Sequence, residues 1–128
     1  MISFRNFTKT SFNKGLFKKI AEALVKDKID ISVVIVGEKR IKELNKKYRN
    51  KDKATDVLAF YYGSEAENLV KSGEIVICPA KAGDLEKDLA RVFIHGILHI
   101  LGYNHKTEKD FKKMKDLEEK YLSVFFKH

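Results

Sequence analysis

The sequence predicts an α+β fold in which a small mixed sheet of four strands packs with about four to five helices. Short segments rich in β-branched residues alternate with longer segments whose apolar residues recur at helical spacing, in the order βαβαββαα. The length of 128 residues suits one domain spanning residues 1–128, since no internal repeat or proline-rich linker divides the chain. The order of the strands within the sheet does not follow from the sequence.

Four segments are expected to form strands. The clearest is residues 29–36, a run of β-branched residues that ends at Gly37. Pro79 has no backbone N–H to donate and is expected to end the last strand. Residues 62–72 contain turn-forming glycine, serine and asparagine and are interpreted as an irregular connection. The predicted strands are residues 2–7, 29–36, 57–61 and 73–78.

Four helices are expected from apolar stripes at helical spacing. The longest stripe lies in residues 84–101, where Leu89, Phe93 and Ile97 recur every fourth residue. The last helix is expected to open at Thr107, because the threonine and the aspartate three residues later resemble a capping box. The predicted helices are residues 12–27, 38–49, 84–101 and the segment that follows Thr107.

Composition narrows the class of protein. Hydrophobic residues make up 44% of the chain, which is enough for a folded core. They never form the run of about 18 residues that spans a bilayer, and the N-terminal residues lack the pattern of a secretory signal. The single cysteine, Cys78, excludes an intrachain disulfide and a cysteine-rich zinc site. We therefore expect a cytoplasmic protein that does not enter a membrane.

Most of the net charge of +8 lies in residues 39–53, which carry eight basic residues against two acidic ones. Such a segment favours a polyanionic partner such as nucleic acid, and a solvated lysine-rich surface is the simpler alternative. Four of its lysines are expected to contact phosphates without sequence preference, which makes binding depend on salt. These lysines are Lys46, Lys47, Lys51 and Lys53.

Three of the four histidines fall within one short segment and carry the clearest chemical signal. On a helix, His95 and His99 would point about 40° apart and lie about 6 Å apart along the axis. Gly102 can end that helix in a left-handed conformation, which turns His105 back towards the same point. Three neutral imidazoles fit Zn²⁺ and leave one tetrahedral position open for water. We therefore predict a metal site at the end of the central helix, against the alternative of a core helix that merely contains histidines.

The spacing of these histidines is shared with zinc proteases of the HExxHxxGxxH type. In those proteases the glutamate after the first histidine is the general base, whereas this chain has Gly96 there. A zinc peptidase is therefore disfavoured. Cys78 as a fourth ligand would close the site, but open three-histidine sites are typical of catalysis.

Three blocks of the chain resemble the YbeY family of bacterial single-strand endoribonucleases. Its signature HGxLHLxGYDH is similar to residues 95–105, HGILHILGYNH, and its block LNxxYRxxDxxTDVLSF is similar to residues 44–60, LNKKYRNKDKATDVLAF. Its strand GDIxIS is similar to residues 73–78, GEIVIC. The resemblance implies a metal-dependent endoribonuclease in rRNA processing, including maturation of the 16S rRNA 3′ end, and in ribosome quality control.

The resemblance also implies roles for single residues. It marks Arg49 as functional, and a guanidinium near the metal would clamp the scissile phosphate. The alternative for Arg49 is a surface ion pair with Asp52 or Asp56. The metal is expected to be one Zn²⁺ per chain, with Ni²⁺ as the alternative, because imidazoles suit both. The expected metal ligands, which are also the expected catalytic residues beside Arg49, are His95, His99 and His105.

Several points stay open at this level. The attacking group would be zinc-bound water or hydroxide, or the 2′-hydroxyl of RNA, and no general base is identifiable. Asp56 serves either the site or a turn, and three tyrosines serve either base stacking or the core. These tyrosines are Tyr61, Tyr62 and Tyr103. Departures from the family pattern, expected to affect fine tuning only, are Asn104 and Glu74 for aspartate and Cys78 and Ala59 for serine.

The expected partners are single-stranded rRNA or its precursors and the ribosomal small subunit or its associated proteins, bound by a monomer. A second hypothesis is a non-catalytic ribosome-assembly factor whose metal site is structural. Cleavage of RNA by the purified protein separates the two hypotheses.

Overall fold

The computed structural model describes residues 1–26, 28–64 and 71–126. Within these ranges the chain forms a mixed four-stranded sheet and five helices, which confirms the predicted α+β class. In chain order the elements are β1 (Ile2–Asn6), α1 (Lys14–Leu24), β2 (Ile29–Ile35), α2 (Glu38–Arg49), β3 (Val57–Ser64), β4 (Lys71–Ile77), α3 (Pro79–Ala82), α4 (Glu86–Ile100) and α5 (Glu108–Phe125).

The sheet has the strand order β1-β2-β4-β3. β2 pairs in parallel with β1 on one side and with β4 on the other, and β3 pairs antiparallel with β4. β3 is therefore an edge strand, and within the part of the chain that the structure describes one of its two edges has no neighbouring strand. This free edge borders the candidate site described below.

Helices cover both faces of the sheet and divide the core into two clusters. On one face α1 and α4 pack together, with Phe17 stacked on Phe93 at a ring-centroid distance of 4.5 Å. On the other face Ile41 of α2 is fully buried and packs with Leu58 and Cys78. α4 lies between the sheet and α5, so the segment with the histidines belongs to the best-buried helix.

The connection predicted over residues 62–72 is wrong at both of its ends. β3 continues to Ser64 and β4 begins at Lys71, so the strands are longer than predicted. The reason is a register shift between Tyr61 and Gly63, after which pairing resumes as Gly63 opposite Ser72. Gly63 has a φ of +72°, which a glycine adopts without strain. The middle of the predicted connection, residues 65–70, lies outside the described residues.

The other predicted elements are confirmed with shifted ends. α1 is shorter than predicted and begins after Asn13, whose side chain accepts a hydrogen bond of 3.0 Å from the N–H of Leu16. Thr107 accepts a hydrogen bond of 3.0 Å from the N–H of Asp110, as expected for the cap of α5. Pro79 ends β4 and also opens the short helix α3, which the sequence analysis missed. Among the described helices, none combines the length and apolar character that crossing a bilayer requires.

Candidate metal centre

The packing of α4 on the sheet determines which way its histidines point. Phe93 and Ile97 are fully buried, whereas His95 and His99 are half-buried and lie on the side of the helix towards the cavity. Gly96 faces the sheet, since a Cβ atom built there would lie 2.9 Å from Cγ2 of Ile75. The residue after the first histidine is therefore a glycine because α4 lies close to β4. A glutamate at this position would collide with the sheet, which strengthens the case against a zinc peptidase.

The three histidines converge as the sequence predicts. Nε2 of His95 and Nε2 of His99 lie 3.1 Å apart, and ligand atoms of all three residues lie within 4.8 Å of one another. His105 reaches the cluster because Gly102, with a φ of +103°, ends the helix and reverses the chain. The turn is held by a hydrogen bond of 3.0 Å from the N–H of Tyr103 to the carbonyl oxygen of Leu98. The cluster lies at the end of the central helix, as expected.

Glu118 of α5 is a member of the site that the sequence analysis missed. Its carboxylate contacts Nδ1 of His95, and the side chain is only 16% exposed. A carboxylate on Nδ1 holds the proton there and leaves Nε2 free to bind a metal. The sequence did contain a sign of this role. Glu118 lies four residues from both Met114 and Leu122, which are buried, so it shares their side of α5. An acidic residue within a buried stripe of a helix requires a partner.

The electrostatics of the cluster suit a metal ion. Burial, followed by the proximity of His95 and His105, lowers the pKa of His99 from 6.5 to about 4. His99 is therefore neutral at pH 7 and has a free lone pair. Within the described part of the chain, these histidines are the group able to hold a metal, and nitrogen donors of this kind suit Zn²⁺ and Ni²⁺.

Cys78 does not belong to this group. It is fully buried in the core cluster beneath α2. Burial raises the pKa of its thiol, which keeps the sulfur protonated. The alternative of Cys78 as a fourth ligand is therefore not supported by its position.

The cluster opens into a cavity of about 500 Å³ that also contains Arg49. Nη2 of Arg49 donates a hydrogen bond of 2.6 Å to the carbonyl oxygen of Ala59, on the edge strand β3. Its guanidinium carbon lies 5.0 Å from the ring centre of Phe60. The alternative partner Asp52 lies near Lys42 instead, at 4.0 Å. Arg49 is thus held beside the histidines by backbone and ring contacts.

Two of the four predicted phosphate-binding lysines reach the cavity. Lys51 and Lys53 are among its lining residues, on the segment between α2 and β3. Asn45 is buried and its side-chain amide donates a hydrogen bond of 2.9 Å to the carbonyl oxygen of Lys53, which fixes this segment. Lys46 and Lys47 lie on α2 and are not lining residues.

Two further residues from the sequence analysis lie at the edge of the site. The carbonyl oxygen of Asp56 accepts a hydrogen bond from the backbone N–H of Cys78, and the residue lines the cavity. Asn104 accepts a hydrogen bond of 3.0 Å from the N–H of Lys106, in the turn that carries His105. An aspartate oxygen would accept the same hydrogen bond, so this departure from the family pattern preserves the turn.

Comparison with known proteins decides the family. A sequence model described as Endoribonuclease YbeY matches residues 3–125. This chain belongs to the YbeY family. Endoribonuclease YbeY of Thermodesulfovibrio yellowstonii is 41% identical over 83% of this chain and 74% of the relative. Endoribonuclease YbeY of Aquifex aeolicus is 38% identical over 93% of this chain and 88% of the relative.

A solved structure agrees with this membership of the YbeY family. The solution structure of TM1509 from Thermotoga maritima is 31% identical to this chain and superposes with a TM-score of 0.60. The alignment covers 98% of this chain and 89% of that protein. The resemblance to the YbeY family stated from three short motifs is therefore confirmed over nearly the whole chain.

Proposed function

We propose that this protein is a metal-dependent endoribonuclease that cuts single-stranded rRNA precursors. The observation that carries the proposal is the placement of Arg49 beside three convergent histidines in one cavity with lysines at its rim. The family, whose members are named as endoribonucleases, supports the same reaction class. Gly96 occupies the position at which zinc peptidases of the HExxH type have a glutamate as general base, and it has no side chain to accept a proton.

Each group of residues in the cavity has its own role in the proposed reaction. His95, His99 and His105 hold one Zn²⁺, with Ni²⁺ as the alternative. When bound, this ion supplies Lewis acidity, which polarises a phosphodiester oxygen and makes water more acidic. Arg49 binds the scissile phosphate, and its five N–H donors in a fixed fork suit that planar recognition. Lys51 and Lys53 attract the RNA backbone at the cavity mouth.

Finer parts of the proposal concern the cellular role. We place the protein in the cytoplasm as a monomer, where it processes the 3′ end of 16S rRNA and takes part in ribosome quality control. Its partners are rRNA and the ribosomal small subunit or proteins associated with it. The YbeY motifs support this role, and binding of purified 30S subunits tests it.

The decisive experiment is cleavage of a single-stranded RNA by highly purified protein, before and after chelation and after return of zinc. Cleavage is expected to stop with the chelator, to return with zinc and to be absent in His99→Ala at every zinc concentration. A base-paired RNA of the same length is the control substrate and should resist cleavage. Cleavage that survives chelation and His99→Ala would contradict the proposal. RNA binding without cleavage by the zinc-loaded protein would favour the assembly factor.

The products of this reaction identify the attacking group. Attack by the 2′-hydroxyl leaves a 2′,3′-cyclic phosphate, whereas attack by water does not. A substrate with a single 2′-deoxynucleotide at the cut site therefore resists the first route and is cut by the second. Asp56 is the residue with a carboxylate among those that line the cavity, so its substitution by asparagine tests for a proton acceptor.

A further inference from the structure

Three aromatic rings form a continuous surface beside the cavity. Tyr48 of α2 meets Phe60 edge-on at a centroid distance of 5.5 Å, and Phe60 stacks on Tyr62 at 6.5 Å with an interplanar angle of 9°. We call Tyr48, Phe60 and Tyr62 the aromatic row. Tyr48 is 55% exposed and Tyr62 is 63% exposed, so the two outer rings present large areas to solvent.

Exposure to solvent increases along β3 from the core towards Tyr62. Leu58, two residues before Phe60 on the same face of β3, is buried beneath α2. Phe60 is half-buried, and Tyr62 lies beyond it at the register shift that bends the strand. Single exposed apolar residues are common, whereas adjacent exposed rings in mutual contact form a patch of the kind that marks interaction sites.

Two cations lie beside the row, and one of them connects it to the cavity. The guanidinium of Arg49 lies 5.0 Å from the Phe60 ring centre while Arg49 also lines the cavity. Nζ of Lys47 lies 5.2 Å from the ring centre of Tyr48. Arg49 is thus in contact with both the aromatic row and the space around the histidines.

Among the described residues, the acidic residue Glu74 also lies close to the row. Glu74 is opposite Phe60 in the register of β3 and β4. Burial, followed by Glu74 and Tyr48, raises the pKa of Tyr62 above its ordinary value. The phenol therefore stays neutral at physiological pH and adds no negative charge that would repel a phosphate.

We propose that the aromatic row is a stacking platform for unpaired bases of the RNA strand whose backbone passes Arg49 into the cavity. This inference rests on the proposed function and adds a reason for single-strand preference. Flat aromatic side chains stack on bases of any sequence, but only where the base faces are free. In a duplex those faces are covered by neighbouring base pairs.

Charge decides between RNA and another occupant. An apolar protein surface would bury Arg49 and Lys47 without an anionic partner, which is unfavourable. A single RNA strand supplies bases for the rings and phosphates for the cations at the same time. The row and the candidate site are also continuous through Arg49, so one strand can occupy both.

The test measures the binding of RNA strands by the metal-free protein, so that cleavage does not interfere. The probes are a single-stranded oligoadenylate and an abasic strand of the same length and charge. Tyr48→Leu, Tyr62→Leu and their combination remove the outer rings, and Tyr62→Phe keeps a ring. The matched control is Phe7→Leu, since Phe7 is 65% exposed with Arg5 at 5.2 Å but follows β1 at the opposite edge of the sheet. The chain contains no tryptophan and five tyrosines, so the part of the tyrosine quenching that is lost in the double leucine variant reports stacking on the row.

We expect the double leucine variant to bind the oligoadenylate about tenfold more weakly and the abasic strand unchanged. Tyr62→Phe and Phe7→Leu should bind both probes as the unaltered protein does. Equal binding of the oligoadenylate by the double variant, or no preference for the oligoadenylate over the abasic strand in the unaltered protein, would overturn the inference. A change in oligomeric state in the leucine variants would show instead that the row is a protein interface.

These outcomes are separate from those of the proposed function. A protein that prefers the oligoadenylate through the row but never cleaves RNA when zinc-loaded would overturn the proposed enzyme and leave the platform in place. Metal-dependent cleavage with no contribution from the rings would overturn only the platform.

Discussion

The carboxylate of Glu118 on α5 contacts Nδ1 of His95 on α4, so a helix that supplies none of the three clustered histidines still orients one of them. This contact links the position of the last helix to the direction of Nε2 of His95, which is a proposed metal ligand. Partners of this kind determine how tightly a metal is held, because they keep the ring oriented and its nitrogen basic.

Replacing Glu118 should therefore weaken metal binding. Glu118→Ala is expected to lower zinc affinity about 10- to 100-fold, and Glu118→Gln less, because its amide oxygen still accepts from Nδ1. Competition with a chromophoric chelator measures the affinity, and nitrogen NMR of His95 in the metal-free protein reports the tautomer. Glu119→Gln is the control, since Glu119 contacts Arg91 at 2.9 Å on the surface. Unchanged affinity in Glu118→Ala would refute the orienting role.

Alanine is expected to have opposite effects on stability at two glycines, Gly96 of α4 and Gly15 of α1. Gly96→Ala should lower the free energy of unfolding by about 1 kcal/mol, because overpacking against Ile75 outweighs the better helix propensity of alanine. Gly15→Ala should raise it by about 0.5–1 kcal/mol, since a Cβ there meets Oδ1 of Asn13 at an ordinary 3.4 Å. Urea unfolding of both variants checks the signs. Stabilisation by Gly96→Ala would mean that the contact with Ile75 is not limiting.

Arg49 is expected to act through the shape of its guanidinium as well as its charge. Arg49→Lys keeps the charge but loses the fixed fork that binds the carbonyl oxygen of Ala59 and a phosphate. RNA cleavage should fall about 100-fold with zinc affinity unchanged. The control is Arg40→Lys, on the same helix, where Arg40 pairs with Glu43 at 3.4 Å on the surface. If cleavage falls equally in both variants, Arg49 contributes only general positive charge.

The lowered pKa of His99 predicts that the metal-free protein loses stability in acid. The unfolded chain binds a proton at His99 near pH 6.5, but the folded chain does so only near pH 4. Lowering the pH from 7 to 4 therefore favours the unfolded state, and this loss levels off below about pH 4. Urea unfolding at a series of pH values measures the slope. His99→Asn should flatten it, whereas His105→Asn, at an exposed ring, should leave most of it; equal slopes in all three proteins would contradict the assignment.

The parts of the fold that sequence predicted well are the local ones. The stripe of Leu89, Phe93 and Ile97 specifies α4 on its own, and the spacing of His95 and His99 then places both rings on one side. Gly102 was identifiable because glycine adopts the left-handed conformation that ends a helix without strain. The convergence of the histidines was therefore available before any tertiary contact was known.

The parts that sequence did not predict depend on contacts between distant segments. Glu118 reaches His95 across 23 residues of chain, and only the packing of α5 on α4 brings the two together. The hydrogen bond from Arg49 to Ala59 likewise depends on β3 being an edge strand, which follows from the strand order. The length of β3 was underestimated because glycine is typical of turns. In the structure Gly63 instead follows a register shift, and the pairing of β3 with β4 continues beyond it.

The contact between Arg49 and the free edge of β3 also bears on solubility. An uncovered strand edge offers carbonyl and N–H groups to a strand of another molecule, which is a common route to aggregation. The guanidinium blocks this edge at Ala59. Truncation of Arg49 would expose this edge of β3 and favour dimers that pair through it. Such dimers would also lower the rate of RNA cleavage, so light scattering should accompany every assay of that variant.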